Sequence, residues 1–319
     1  MEMDERKEEE KKMKILIIGG CGYIGRKLVK ASLALNYQTY ILYRPQNASS
    51  REKSQLLMEF KIMGALLLQG SFDNHESLVS ALRQVDVVVC SVASDQILQQ
   101  LKLIQAIKEA GNIKRYIPSE FGMDADRMPH AIPPGNQIFI DKCVIRRTLE
   151  EAKIPFTYVS ANCFAGIFLA GLAQLGTFMP PTNHITIYGN GDKKCIWVAE
   201  EDVAMYTMMA ANDHRAENKV LYVRPPANIL TQMEVVNIWE KLLGKVLDKT
   251  FILSPQDWLS KMDKYPLFEQ IAVAHFYQIY YCGDLDFEPE KPYSLETNDL
   301  YPEYKYVSAE EYLRRFIFI

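Results

Sequence analysis

Short β-branched runs alternate with helical patterns from the first ordered-looking residue onward. The strand candidates are KILIIGG (14–20), QTYILYR (38–44), ALLLQG (65–70), VDVVVCSV (85–92), KRYIPSE (114–120) and PFTYVSAN (155–162). Each is a continuous apolar run rather than an alternating one, as expected of strands covered by helices on both faces. Between them lie helix candidates after Gly22, near 51–63, near 75–84, over ILQQLKLIQAIKEAG (97–111) and over about 138–152. The fourth has apolar residues at 97, 98, 101, 103, 104 and 107, and Gly111 stands where a C-cap glycine belongs. This rhythm predicts an α/β fold, a doubly wound parallel sheet of the Rossmann type.

After about residue 165 the rhythm breaks. GLAQLGTFMPP ends in a proline pair, and ITIYGNGDKKCIWV predicts a hairpin turning at Gly189-Asn190-Gly191. Thr231/Glu234, Ser254/Asp257 and Ser308/Glu311 have capping-box spacing ahead of helical patterns. The expected organisation is a charged tail over 1–12, a nucleotide-binding domain over 13–165, and a smaller mixed α/β lobe over 166–319. Some segments of that lobe should return to the first domain.

Composition narrows the function classes only a little. The 319 residues are 48% hydrophobic and 24% charged with a net charge of −4, which gives no pull toward nucleic acid or an anionic membrane. MEMDERKEEEKK reads as a solvated tail without the apolar stretch of a signal peptide. The six cysteines are scattered without metal-ligand spacing, so reduced thiols, no metal and a cytoplasmic location are expected.

The chemistry starts at Gly19-Gly20-Cys21-Gly22-Tyr23-Ile24-Gly25, which follows the first strand directly and opens a helix. In that context three glycines have separate jobs: a tight turn, close approach of backbone N–H groups to a pyrophosphate, and helix–strand packing. At the end of the second strand, where an acidic residue would bind the 2′-hydroxyl of NAD, the chain has Arg44, with Lys53 nine residues on. A guanidinium fork and an ammonium suit a 2′-phosphate, so NADPH is the expected cofactor; solvated surface cations are the plainer alternative.

Short-chain reductases activate a carbonyl with Tyr-x-x-x-Lys. Tyr301-Pro-Glu-Tyr-Lys305 has the spacing but lies near the C-terminus in a proline-containing segment, and reads as a decoy. The fifth helix carries Lys142, with Ile138 where the tyrosine would stand. A lysine without its tyrosine suits proton exchange with a phenol, its pKa lowered by burial. Arg146 shares its helical face and could contact the cofactor. Read alone, IDKCVIRR also describes a solvated helix face.

ILIIGGCGYIG (15–25), LYRP (42–45), QLKLIQAIKEAGNIKRYIPSEFGMD (100–124), FIDK (139–142), YVSANCFAG (158–166), LYVRPPANILTQ (221–232) and DLYPEYKY (299–306) together resemble the plant family of pinoresinol–lariciresinol, isoflavone and phenylcoumaran benzylic ether reductases. The resemblance implies a dinucleotide loop from Gly19 to Gly25, 2′-phosphate ligands at Arg44 and Lys53, a catalytic lysine at Lys142 and a cofactor-contacting arginine at Arg146. It also makes the missing tyrosine a family trait and implies a homodimer acting on a small phenolic substrate. HAIPPGNQIFIDK (130–142), GLAQLGTFMPP (171–181) and AHFYQIYYCGDL (274–285) look most like pinoresinol–lariciresinol reductases, which open a benzylic ether of a furofuran lignan through a quinone methide. On that reading Phe164, Phe168 and His275 belong to the substrate pocket, although core packing would also explain them. SVASDQILQQ (91–100) is shorter than such reductases tend to carry and is similar to the phenylpropene synthases of the same family, which reduce a coniferyl ester. A protein that senses NADPH without catalysis is the reading from another class.

Overall fold

The structure, a computed structural model, describes residues 12–44 and 50–317. The charged tail through residue 11 and Pro45 of the LYRP run lie outside them. β1 (Lys14–Ile18), β2 (Gln38–Tyr43), β3 (Leu66–Gln69), β4 (Val87–Cys90) and β5 (Arg115–Ile117) form a parallel sheet in the order β3-β2-β1-β4-β5. They alternate with α1 (Gly25–Ala34), α2 (Arg51–Ile62), α3 (His75–Leu82) and α4 (Gln100–Ala110). α5 (Gln137–Ala152) follows β5. The order reverses between β1 and β4, and that switch point opens the crevice in which open α/β sheets bind ligands.

The continuous apolar runs have a direct cause. In β1 and β4, Ile15, Ile17, Val87 and Val89 enter one core cluster, while Leu16, Ile18, Val88 and Cys90 enter a second on the opposite face. Successive side chains point to opposite faces of a strand, so a sheet covered twice has no polar position to alternate with. At the edge, β3 is the exception: Leu66 is exposed.

The sheet continues past β5. β6 (Thr157–Ser160) follows a parallel bridge between Tyr116 and Phe156, and pairs with β10 (Lys219–Tyr222), which pairs with β13 (Ser294–Glu296). Strands from the C-terminal half therefore lie beside the N-terminal sheet. The rest of that half holds β7 (Cys163–Phe164), β8 (His184–Tyr188), β9 (Lys194–Val198), β11 (Ile229–Thr231) and β12 (Asp248–Ile252). Its helices are α6 (Glu200–Ala211), α7 (Gln232–Leu243), α8 (Pro255–Leu259), α9 (Leu267–Tyr277), α10 (Thr297–Leu300) and α11 (Ala309–Arg314).

The expected hairpin over 184–198 does not form. The chain does turn, with the Gly191 N–H donating to the Tyr188 carbonyl at 3.0 Å, but the two strands part company. β8 pairs in parallel with β12, whereas β9 pairs with β11 and β7. Long-range partners outbid the local one, which turn residues alone cannot foresee. Capping signals fared better. Thr231 and Ser308 form complete capping boxes on α7 and α11, and Ser254 caps α8. Gly111 ends α4 in the left-handed conformation at φ 70°.

Candidate active site

Both cavities of the site open at the carboxyl ends of the parallel strands. The outer one, about 260 Å³, is lined by Gly19, Gly20, Cys21 and Gly22, by Arg44 and Lys53, and by Gly70–Phe72 and Ser91–Ala93. A Cβ at Gly19 would lie 2.4 Å from the Ser91 carbonyl oxygen, and one at Gly25 2.0 Å from the Gly19 oxygen. Gly19 also sits at φ +83°, and its carbonyl accepts from the Gly22 N–H at 2.8 Å. The loop therefore closes on its own backbone, and side chains at these positions would block it. α1 has neither a side-chain cap nor an acidic residue in its first turn, so its N-terminus is left for an anion. Arg44 and Lys53 line the same cavity, which gives it the charge a 2′-phosphate requires. Gly25 lines neither cavity; its task is packing α1 against the loop.

The inner cavity, about 530 Å³, shares Gly22, Ser91, Val92 and Ala93 with the outer one, so one cleft runs through both. Tyr23, Ile24, Ile138, Phe139, Lys142, Phe164, Phe168 and His275 all line it. The Tyr23 hydroxyl donates to Glu200 Oε1 at 2.6 Å, and that oxygen also accepts from the Gly166 N–H at 2.9 Å. This ties the dinucleotide loop to the chain just past β7. The Tyr23 ring meets Phe164 at 5.9 Å between centroids, and Phe168 meets Phe276 at 5.9 Å. Phe276 is part of a nest with Tyr188, Trp258 and Tyr280 that anchors α9.

Lys142 is buried on α5, and its ammonium nitrogen donates to the backbone carbonyl of Glu120. Burial pushes its pKa down; the carboxylate of Glu120 opposes this, and Arg146 adds to it. His275 Nε2 lies 3.0 Å from the Gly135 carbonyl oxygen. A carbonyl only accepts, so Nε2 carries the proton and the neutral ring presents Nδ1 as an acceptor. Burial lowers the His275 pKa, and the nearby charge of Lys142 lowers it further, which favours that neutral ring. Ile138, on the turn of α5 before Lys142, lines the cavity where a tyrosine would stand. Two other segments have tyrosine–lysine spacing, and neither serves. Tyr23 is held by Glu200 while Lys27 pairs with Glu201 at 3.8 Å, and Tyr301 donates to Asp213 at 3.0 Å away from both cavities.

Known proteins similar to this chain point to its family. The model of the NmrA-like family matches residues 11–313. A bifunctional pinoresinol-lariciresinol reductase 2 of Thuja plicata is 52% identical over 312 residues, covering 97% of this chain and all of that protein. Among solved structures, AtPrR2 with NADP+ and (+)pinoresinol is 48% identical at a TM-score of 0.92, covering 96% of this chain and 99% of that one. An isoflavone reductase is 40% identical at a TM-score of 0.90 over the same shares. This chain belongs to the NmrA-like family, in the group of the pinoresinol–lariciresinol and isoflavone reductases.

Within this NmrA-like fold Arg146 departs from its expected place. Arg146 lines neither cavity of the cleft. It is wholly buried beneath α5, with Nε and Nη2 donating to the two Glu120 carboxylate oxygens at 3.0 and 2.8 Å. Its Nη1 donates to Asp124 at 2.6 Å and Asp126 at 3.0 Å, and the guanidinium lies 4.6 Å over the Tyr158 ring. Sequence spacing put Arg146 on the face of Lys142 but could not say that three carboxylates meet it there. Those carboxylates, together with Ser119, Gly122, Phe139 and Ile167 of the cavity wall, were not singled out from the sequence. Their one signal was position: most follow β5 or β6, at the carboxyl end of the sheet. The segment after β4 is a short 3₁₀ turn (Ser94–Gln99) that leads directly into α4, and its Ile97 forms part of the cavity wall.

Proposed function

We propose that this protein is an NADPH-dependent oxidoreductase that opens the benzylic ether of a phenolic furofuran lignan. The observation that carries the reading is Lys142: a desolvated amine, without a tyrosine partner, in the wall of an aromatic-lined cavity that is continuous with a dinucleotide cleft. Gly19 to Gly22 and the N-terminus of α1 would hold the pyrophosphate, and Arg44 and Lys53 the 2′-phosphate. When bound, NADPH supplies the hydride.

Neutral Lys142 takes the phenolic proton of the substrate. The electron pair left on the phenoxide flows through the ring and expels the benzylic ether oxygen as an alkoxide, leaving a quinone methide that is reduced at the benzylic carbon. The restored phenoxide then recovers its proton from the Lys142 ammonium, and the alkoxide takes one from solvent. Neutral His275, with Nε2–H committed to Gly135, orients the substrate by accepting a hydrogen bond at Nδ1 rather than by giving up a proton. The relatives' pinoresinol and lariciresinol fit this scheme because both carry a phenol para to a benzylic ether carbon.

Purified protein with NADPH is to be offered pinoresinol, lariciresinol and coniferyl acetate separately. Consumption of the lignans with stoichiometric NADPH oxidation is expected; turnover of the ester alone overturns the lignan reading. We further propose that the protein is a cytosolic plant homodimer, a reading favoured by its plant relatives and its free cysteines among the described residues. A fluorescent fusion and analytical ultracentrifugation test the two parts.

A further inference from the structure

We propose that Arg146 and Glu120 are positioning residues: together they set where the Lys142 nitrogen lies and which charge it carries. The proposal rests on Lys142 as the base. Glu120 is gripped twice from one face of α5. Its backbone carbonyl accepts from Lys142, and its carboxylate accepts both donors of the Arg146 fork one helical turn further along. Only Arg146 reaches from α5 to Glu120 and Asp124 at once, and Asp124 is itself held by the hydroxyl of Tyr222 on β10. The loop that carries the acceptor for Lys142 is thus clamped to the helix that carries Lys142. Neither Glu120, Asp124 nor Arg146 exposes more than a few per cent of its surface. A buried charge set of this kind is costly unless every member is paired, and here every pairing bears on the loop under the lysine.

The same groups set the field at the amine. Glu120 and Asp124 on the loop favour the ammonium; Arg146 on α5 and burial favour the neutral amine. Cys143, next to Lys142 on α5, is a thiol whose pKa is pushed up to about 11 by burial and the Asp126 charge, so it stays neutral. His275 on α9 faces the lysine as a neutral ring. Opposite changes at Glu120 and Arg146 should therefore move the lysine in opposite directions. A purely structural role would lower activity in both variants without that reversal.

The test is the pH profile of kcat/KM for the lignan, whose acidic limb reports protonation of the free enzyme's base. Glu120→Gln keeps the backbone carbonyl and removes a negative charge, so the limb should move to lower pH by about one unit. Arg146→Met removes a positive charge and should move it to higher pH. Arg146→Lys keeps the charge but loses the fork: the limb should stay in place while kcat falls about ten- to a hundredfold, with NADPH affinity unchanged. Should Arg146→Met yield no NADPH-binding protein, the double variant Glu120→Gln/Arg146→Met decides, with the limb expected back near its wild-type position and kcat still low. An unmoved limb in Glu120→Gln, or shifts in the same direction in both single variants, overturns the proposal. Full turnover by Lys142→Met would instead remove the reading of Lys142 as the base, which is a separate result.

Discussion

Lys142 is where the residue scale carries most of the chemistry. An amine in water is protonated at neutral pH and is a poor base; burial on α5 lowers its pKa and makes the neutral form accessible. Because only the neutral amine accepts a proton, activity is expected to fall as pH drops through that lowered value. Lys142→Met should lose about a hundredfold or more in turnover while NADPH still binds, as read by cofactor fluorescence and steady-state assay. Retained turnover would mean that another group, or solvent, takes the phenolic proton. Arg44 tests the other end of the cleft. A charge-assisted hydrogen bond to a 2′-phosphate is worth roughly 1.5–3 kcal/mol, so Arg44→Ala should weaken NADPH about 10- to 100-fold and leave NADH nearly unchanged. Equal loss for both dinucleotides in a titration would contradict the assignment.

At the scale of elements, the site depends on how closely α1 approaches the glycine loop. A methyl group at Gly25 would stand 2.0 Å from the Gly19 oxygen, a distance that only movement of the helix or the loop can relieve. Gly25→Ala is therefore expected to cost about 1–3 kcal/mol of stability and most of the NADPH affinity. A variant with wild-type melting and wild-type affinity would show that the loop has slack. The contrast with β8 and β9 is instructive. Gly19 to Gly25 follow a strand and start a helix, and local sequence suffices because the turn is closed by its own backbone. Gly189 to Gly191 also make a turn, yet the flanking strands pair with β12 and β11, which lie more than thirty residues away. Turn residues specify a reversal of the chain; they do not specify what the strands pair with afterwards.

Across the whole molecule, the C-terminal segment is fastened back onto α6. Asp202, at the start of that helix, accepts from the Tyr304 hydroxyl at 2.9 Å and the Val307 N–H at 2.8 Å. Burial raises its pKa to about 6, against an ordinary value of 3.8. The folded state thus holds this proton more tightly than the unfolded chain. The resulting contribution to stability is present below the unfolded value and is lost as pH rises through about 6. Denaturant unfolding at pH 5 and pH 8 should show wild type gaining on Asp202→Asn at the lower pH. A pH-independent difference between the two proteins would place the titration elsewhere.

Sequence by itself determined the Rossmann-type sheet, the glycine loop after its first strand with Arg44 at the end of the second, and the lack of a tyrosine four residues before Lys142. Each of these is written in neighbouring residues: an apolar run, a glycine spacing, a residue four positions back on a helix. The tertiary structure alone decided what those residues meet. It joined the two cavities into one cleft and brought Phe164, Phe168 and His275 into the wall of the cavity that Lys142 lines. It also set Arg146 outside the cleft in a buried cluster of carboxylates, and sent β8 and β9 to different sheets. The reason is the same in every case. A helical face or a strand end fixes the direction in which a side chain leaves the backbone, but the charge or surface waiting there comes from residues remote in the chain.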